Sequence, residues 1–518
     1  MATTKSISLY LLLLVMHDIS SSLEAAPEKP HIFMLLVDDW GWANVGYHRA
    51  VQTKEVVTPN FDRLCKAGVE LDQHYVHNVC SPTRSSLLSG RLPIHVNIDN
   101  GNATMHNASD PNGYQGIPPG MTVIAEKLKK AGYATHQVGK WDAGFGTIEQ
   151  TPRGRGFDSS FGYFHHANDF YTETVYSCAN YGPVTDLWDY DRPAKGENGT
   201  VYEEQMFAEH VRQVIEAHDA STPLFLYYAP HIVHAPLQVP SEYEKKFGFI
   251  DDETRRIYHA MVNYLDDVVG NVTNLLEQKG MWNNTLMVVS ADNGGPEYPG
   301  GGANNYPLRG GKASNWQGGV RVNAFVSGGF LPAAVRGTKV DGYVAICDWY
   351  ATFCSLAGVD SADSKASAAH LPPVDGMNMW PFISGQTKES PRTEIPIGSN
   401  GLNHSHGVEA LVSGDYKLLY GKIVEAGWTG PQYPNETNPK GGIPGIALCW
   451  SGCLFNIKED PEERNDLASS MPDKVKEMME KLAVYEKGAF LPYRGKNDPA
   501  ACDAALHKYG GFWGPWLD

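Results

Sequence analysis

The chain has 518 residues, with 42 Lys and Arg against 59 Asp and Glu, a formal net charge of −17 and an apolar share of 42%. This composition excludes wholesale disorder, and the length points to one large α/β unit with a smaller companion. So acidic a chain is unsuited to nucleic acid or an anionic membrane, and eight cysteines are too few for a disulfide scaffold of this size.

In chain order, Lys5, the apolar run Ile7–Met16 and the small residues Ser20–Ser22, Ala25 and Ala26 read as a signal peptide over residues 1–26. The run is shorter than the roughly 20 residues that span a bilayer, and no later segment is apolar enough, so no transmembrane segment is expected. His31–Val37 is a continuous apolar run ending abruptly in Asp38 and Asp39. It predicts a buried parallel strand that delivers two carboxylates at its C-terminal end, where open α/β sheets bind ligands. Thr58 and Pro59 open a helix reaching about Ala67. Thr122–Ala131 predicts a helix stopped by Gly132, and Ala134–Val138 a strand leading to Gly139 and Lys140. Tyr202–His218 predicts a helix, Leu224–Tyr228 a strand, and Glu253–Glu277 a mostly helical stretch. Thr285–Ser290 is a second buried strand that also ends at an acid, Asp292.

This alternation predicts an α/β fold built on a large, mostly parallel, doubly wound sheet. Beyond about Trp380, Pro, Gly and Asn become dense. Ala410–Val412 and Tyr416–Tyr420, joined by Ser413-Gly414-Asp415, predict a hairpin. Leu454–Ile457 predicts a short strand and Pro472–Lys487 a helix. The expected division is a large domain over 27–389 and a smaller C-terminal α+β domain with an antiparallel sheet over 390–518.

Three groups of residues carry chemistry. Cys80-Ser81-Pro82-Thr83-Arg84 places a thiol at a helix N-terminus, where the dipole favours an anion, with a guanidinium one turn on. Asp38, Asp39, Asp292 and Asn293 are oxygen donors at strand ends, without the His and Cys spacing of a zinc site, and suit a hard cation such as Ca²⁺. Lys140, His234 and Lys312 lie on strand-end or Gly-rich loops; each alone is a common surface residue, but with Arg84 they would form a pocket for a dianion.

These motifs resemble the type I sulfatase family, which has the alkaline phosphatase superfamily fold. Cys80-x-Pro82-x-Arg84 is similar to the signature whose cysteine becomes formylglycine (3-oxoalanine). Gly132–Thr135 with Val138-Gly139-Lys140-Trp141 is similar to the second signature. The resemblance runs from Pro30 to Trp516 and is strongest to arylsulfatase B-like members. It is carried by Gly154–Asp158, Phe161–Tyr163, His234–Pro240, Asn283–Thr285, Asp292–Gly295, Asn304–Gly310 and Asp460–Arg464.

The resemblance implies a sulfuric ester hydrolase acting on sulfated carbohydrates or small aryl sulfates, with a formylglycine-generating enzyme as partner during maturation. It implies that residue 80, Asp38, Asp39, Asp292 and Asn293 hold one Ca²⁺. It makes Cys80, Arg84, Lys140, His234 and Lys312 the catalytic set. Arg84 would hold the nucleophilic hydroxyl, the lysines would neutralise sulfate and departing oxygen, and His234 would assist the leaving group. One position departs from the pattern. The second signature usually continues His-Leu-Gly, and here it reads Asp142-Ala143-Gly144. Either Asp142 serves as base, or His165 or His166 fills the gap, or the enzyme is weakened. The competing readings are a phosphomonoester or phosphonate hydrolase of the same superfamily, and a non-catalytic glycoprotein with Cys80 unconverted.

Asn-x-Ser/Thr sequons begin at Asn102, Asn107, Asn198, Asn271, Asn283, Asn403 and Asn435. Behind a signal peptide they predict a secreted or lysosome-like glycoprotein. Conversion of Cys80 would leave seven cysteines and so at least one unpaired. Cys65 is the candidate for a buried thiol, while Cys449 and Cys453, at the mouth of an expected Trp450-Ser451-Gly452 turn, could pair with each other or with distant partners.

Overall fold

The computed structural model describes residues 29–49, 53–178, 181–398, 408–432 and 445–518. The expected signal peptide and the sequons at Asn403 and Asn435 lie outside these residues. A ten-stranded mixed sheet forms the centre. Its order is Arg192–Pro193, Trp188–Asp189, Ser159–Tyr163, Ala134–Lys140, Leu224–Ala229, His31–Val37, Thr285–Ala291, Ala324–Ser327, Val69–Leu71 and Thr338–Val340. The five strands from Ser159–Tyr163 to Thr285–Ala291 are mutually parallel, and antiparallel pairs flank them on both sides. All seven residues of His31–Val37 and of Thr285–Ala291 are buried, so both faces of the central strands are covered. The two strands pair in register from His31 opposite Thr285 to Val37 opposite Ala291, which brings their C-terminal ends side by side.

The helices fall into two packed groups. Pro59–Lys66, Glu203–Ala217 and Glu253–Gln278 form one, and Cys80–Ser89, Ile124–Lys130 and Asp348–Leu356 the other. Each group touches the sheet at the Ala134–Lys140 strand. Glu253–Gln278 begins at Asp252, whose side chain accepts the Arg255 amide, and gives way to Lys279 and the left-handed Gly280. The strand expected to stop at Val138 continues to Lys140. Gly139 has φ 96°, and a Cβ there would lie 2.0 Å from the Ala229 carbonyl oxygen. Glycine thus lets the strand pass its neighbour and still deliver Lys140.

A four-stranded antiparallel sheet, Glu394–Gly398, Val408–Ser413, Tyr416–Ile423 and Ala447–Asn456, packs with the Pro472–Gly488 helix. Its apolar side joins Trp316, Val320, Tyr75 and Leu92 of the large unit in a second core cluster. From Lys496 the chain returns to the large sheet's neighbourhood. Lys496–Asn497 pairs with Met105–His106, and Cys502 is bonded to Cys178. Cys449 pairs with Cys453, while Cys65, Cys80, Cys347 and Cys354 are buried thiols. No helix among the described residues is long and apolar enough to cross a membrane.

Candidate active site

The register of the two central strands sets Asp38 and Asp39 beside Asp292 and Asn293, and all four are buried. Asp39 has φ 56°, a conformation that aspartate tolerates better than most residues. Its amide donates to Asp292 Oδ1 at 3.2 Å, and Tyr258 donates to its carbonyl at 2.7 Å. The Asn293 amide nitrogen donates to Asp39 Oδ1 at 2.7 Å, leaving Asn293 Oδ1 buried without a hydrogen-bond donor.

Cys80 opens the buried Cys80–Ser89 helix, and its Sγ lies 3.6 Å from Asp38 Oδ1. Burial pushes the thiol well above its ordinary range, against the pull of Lys140 and Lys312, so it stays protonated and is a poor nucleophile as it stands. One turn on, Arg84 donates to Asp292 Oδ2 through Nε at 3.1 Å and through its terminal nitrogen at 2.7 Å. Lys140 Nζ lies 2.7 Å from Asp38 Oδ2, and Lys312 Nζ lies 2.7 Å from Asp39 Oδ1. Burial disfavours both ammonium groups, but Asp38 and Asp39 outweigh it and hold them charged. Burial and neighbouring Asp38 push the Asp292 carboxyl up, with Arg84 opposing. Three carboxylates crowded together in this way are relieved by a cation.

His234 Nε2 lies 3.6 Å from Asp39 Oδ2, and Nδ1 lies 2.6 Å from the Ala235 carbonyl oxygen. Burial, then Lys312, lower its pKa. Its loop is fixed from two sides. Val233 donates to the Asp38 carbonyl at 2.9 Å, and Ile232 donates to Glu204 Oε1 at 2.9 Å. Lys312 sits on a Gly-rich loop anchored from outside. The Arg309 guanidinium lies between the rings of Trp316 and Trp428, at 3.6 and 4.1 Å from their centroids. Arg309 also donates to the carbonyls of Ala426 and Glu463.

All nine residues singled out in the sequence therefore meet in one network. Asp38, Asp39, Cys80 and His234 present metal-binding atoms within 4.8 Å of one another. The Asn293 and Asp292 oxygens adjoin them, and the orphaned Asn293 Oδ1 is a donor that a hard cation would satisfy. His234 belongs to this cluster by position, whereas the sequence reading placed it in a dianion pocket and gave it a leaving-group role.

The position of Asp142 is resolved by its partners. Its Oδ1 accepts from the Ser81 hydroxyl and lies 2.9 Å from His166 Nδ1. His165 is held elsewhere, with Nδ1 2.8 Å from Asp186 Oδ2 and its ring against Phe145 and Trp513. The sequence reading missed Glu204, because acids in the first turn of a helix are ordinarily solvated, whereas Glu203 and Glu204 are both buried. Burial pushes Glu204 up to about 7.

A family model described as Sulfatase matches residues 30–359. Arylsulfatase J of Mus musculus is 35% identical over 512 residues, covering 95% of this chain and 81% of that protein. The N-acetylgalactosamine-6-sulfatase of Mus musculus is 30% identical over 393 residues, covering 73% of this chain and 71% of its own. Among solved structures, Ps i-CgsB in complex with k-i-k-neocarrahexaose superposes with a TM-score of 0.72 at 26% identity, covering 93% of this chain and 97% of its own.

Proposed function

The chain belongs to the sulfatase family and is a sulfate-ester hydrolase, and from this premise we propose that it works through formylglycine at position 80 and one Ca²⁺. The observation that carries the reading is the convergence of Cys80 and Arg84 with Lys140, Lys312 and the strand-end oxygens at one buried point. The neutral, buried thiol supports conversion of Cys80 by a formylglycine-generating enzyme, since unconverted it offers no thiolate. As its hydrate, formylglycine supplies a hydroxyl nucleophile. Asp38, Asp39, Asp292, Asn293 and residue 80 would hold Ca²⁺, which supplies positive charge for that hydroxyl and for a sulfate oxygen.

The chain's own residues do the rest. Arg84 is fixed by Asp292 and reaches residue 80 one helical turn away, so it orients the nucleophile without searching for a rotamer. Lys140 and Lys312 stand on opposite carboxylates, Asp38 and Asp39, and bracket the position of the sulfate with two fixed cations. His234, beside Asp39, lies on the Lys312 side, where the departing oxygen needs a hydrogen bond. Tyr176 is exposed and near enough to Asp142 and Lys140 for their charges to act on it, so it offers an aromatic face to a sugar leaving group, in keeping with similar proteins named as an N-acetylgalactosamine-6-sulfatase and as a complex with k-i-k-neocarrahexaose.

The protein passes through the secretory pathway to a secreted or lysosome-like destination as a glycoprotein. None of the five described sequon asparagines is buried, and Asn271 and Asn283 are exposed.

The test combines two measurements on native-source protein: the mass of the Cys80 peptide, and turnover against sulfated sugars, aryl sulfates and matching phosphate monoesters. The reading expects a peptide carrying the aldehyde in place of the thiol and hydrolysis of sulfates well above phosphates. An unmodified thiol alongside turnover, or preference for phosphate, overturns it.

A further inference from the structure

The segment Asp460–Arg464, singled out in the sequence, has no part in the proposed chemistry, yet one of its side chains reaches the active-site loops. The segment forms a turn beyond the Ala447–Asn456 strand. Asp460 closes it, accepting the Arg464 amide through Oδ1 at 3.1 Å and the Asn465 amide through Oδ2 at 2.7 Å. Glu463 within it is fully buried and left-handed, with φ 53°. Its Oε1 lies 2.7 Å from Nζ of Lys417, which is also fully buried, on the Tyr416–Ile423 strand.

The other two acceptors of Glu463 meet the loop that carries Lys312. Oε2 accepts the Gln317 amide at 2.7 Å, and the backbone carbonyl accepts an Arg309 terminal nitrogen at 3.2 Å. Arg309 and Gln317 stand on the two arms of that loop. The arms close on each other, since Gly318 donates to the Arg309 carbonyl at 2.7 Å and a Cβ on Gly318 would lie 2.2 Å from the Gly310 carbonyl oxygen. The tip is tied inward, with the Lys312 amide 3.2 Å from the Gly295 carbonyl and the Ala313 amide 2.8 Å from that of Asn78. Lys312 Nζ then ends 2.7 Å from Asp39 Oδ1. One residue packed with the C-terminal sheet thus spans both arms of this loop, across 154 and 146 residues of chain. A buried carboxylate persists only where its charge is paired and its oxygens are used. Lys417 supplies the charge, and the Gln317 amide uses the second oxygen.

We infer that Glu463 is the positioning residue of Lys312: it clamps both arms of the Arg309–Gly318 loop and so sets where the ammonium stands, with Lys417 holding its carboxylate in place. The inference rests on the reading that Lys312 neutralises charge on the sulfate or the departing oxygen. A cation fixed in advance stabilises a developing anion without reorganising, and a small displacement of such a group costs rate. The indoles around Arg309 hold one arm, and Glu463 ties that arm to the other.

Two double variants of the full chain isolate the clamp. Glu463→Gln with Lys417→Met and Glu463→Leu with Lys417→Met both remove the buried charge pair, an exchange that proteins tolerate. Neither replacement at 463 is branched at Cβ, so the left-handed backbone burdens both alike. Only the first keeps an oxygen for the Gln317 amide. The Gln/Met pair is expected to hold kcat/KM within about threefold of the parent, and the Leu/Met pair to lower it about tenfold. In a Lys312→Ala background the Leu/Met pair should cost less than about twofold more, because the group being positioned is gone. Amide hydrogen exchange gives a readout independent of turnover. The peptide spanning residues 309–318 should exchange about tenfold faster in the Leu/Met pair than in the Gln/Met pair, while the Cys80–Ser89 helix exchanges alike in both.

Equal kcat/KM in the two double variants, or a full tenfold loss persisting in the Lys312→Ala background, overturns the positioning role and leaves the formylglycine reading intact. Exchange that rises equally in the Cys80–Ser89 helix overturns it too, since the pair would then support the whole fold rather than the loop. Parent kcat/KM in Lys312→Ala alone overturns the role given to Lys312 instead, and exchange of residues 309–318 then decides by itself whether Glu463 clamps the loop.

Discussion

The two sides of the site are held in place by different means. On one side, Asp38, Asp39, Lys140, Asp292 and Asn293 are at or directly beyond the ends of parallel strands, and their positions follow from sheet register. On the other, Lys312, His234 and the Asp142–His166 pair lie on loops whose geometry is imposed by distant anchors: Arg309 between two indoles, Glu204 under Ile232, and the Gly101 carbonyl. The strand side is rigid because removing any part of it disturbs a fully buried ladder. The loop side is tunable, since an anchor can change without opening the core. Loss of a strand-side ligand should therefore cost both stability and function, and loss of a loop-side anchor mostly rate.

The largest effect expected is at Asp39, where the two sides meet. Asp39→Ala leaves Lys312 buried without its carboxylate, which costs about 3–5 kcal/mol. It also removes an expected Ca²⁺ ligand, and turnover should fall by about 10³ or more. Calorimetric titration and melting curves check this. Ca²⁺ at about 100 times its dissociation constant should stabilise the parent by about 2.7 kcal/mol, and chelation should reverse the gain. Asp39→Ala should show neither response. If it gains as much from Ca²⁺ as the parent, the strand-end oxygens are not the ion's site.

Next come Lys312 and its anchor. Lys312→Ala should lower kcat/KM about 100-fold, as for loss of one fixed charge at a developing anion. Arg309→Ala removes two stacking contacts worth about 0.5–2 kcal/mol each and frees the loop, so rate should fall about tenfold with a lower melting temperature. Arg309→Lys should not rescue it, because an ammonium lacks the flat face that two indoles sandwich. Equal kcat in parent and Arg309→Ala would show that the Lys312 loop holds itself.

The same division explains what could be read from the sequence. The strand side was legible because an apolar run ending abruptly in acids announces a buried strand and its functional end within one short segment, as in His31–Asp39 and Thr285–Asn293. The loop side depends on pairings that local pattern cannot express. Arg309 meets carbonyls 117 and 154 residues further on, and Asp142 meets His166 across 24. His165 and His166 are neighbours in the chain, yet one is a fully buried structural group and the other faces the site. Glycine misled in two places. Gly139 read as a strand stop but pairs within the sheet. Trp450-Ser451-Gly452 read as a turn between Cys449 and Cys453, but the residues belong to the bulged Ala447–Asn456 strand. A left-handed glycine marks a turn in most strands and a bulge in a few, and only the neighbouring strand decides which.

The smallest effect on rate, and the cleanest separation of anchor from catalyst, is expected at Glu204. Its carboxylate accepts the Ile232 amide and the Tyr228 hydroxyl, so Glu204→Gln keeps one acceptor oxygen for the loop and should lower kcat only about threefold. Its pKa is raised by burial from 4.5 to about 7. The native state therefore binds this proton more tightly than the unfolded chain, so the group's contribution is complete below about pH 4.5 and is lost as pH rises through about 7. A shift of this size corresponds to about 3 kcal/mol between the two limits. The difference in unfolding free energy, Glu204→Gln minus parent, should accordingly grow in favour of the variant between pH 4.5 and 8. Other depressed carboxylates change stability in the opposite direction, but they are common to both proteins and cancel in that difference. A difference independent of pH would mean that Glu204 ionises normally beneath the His234 loop.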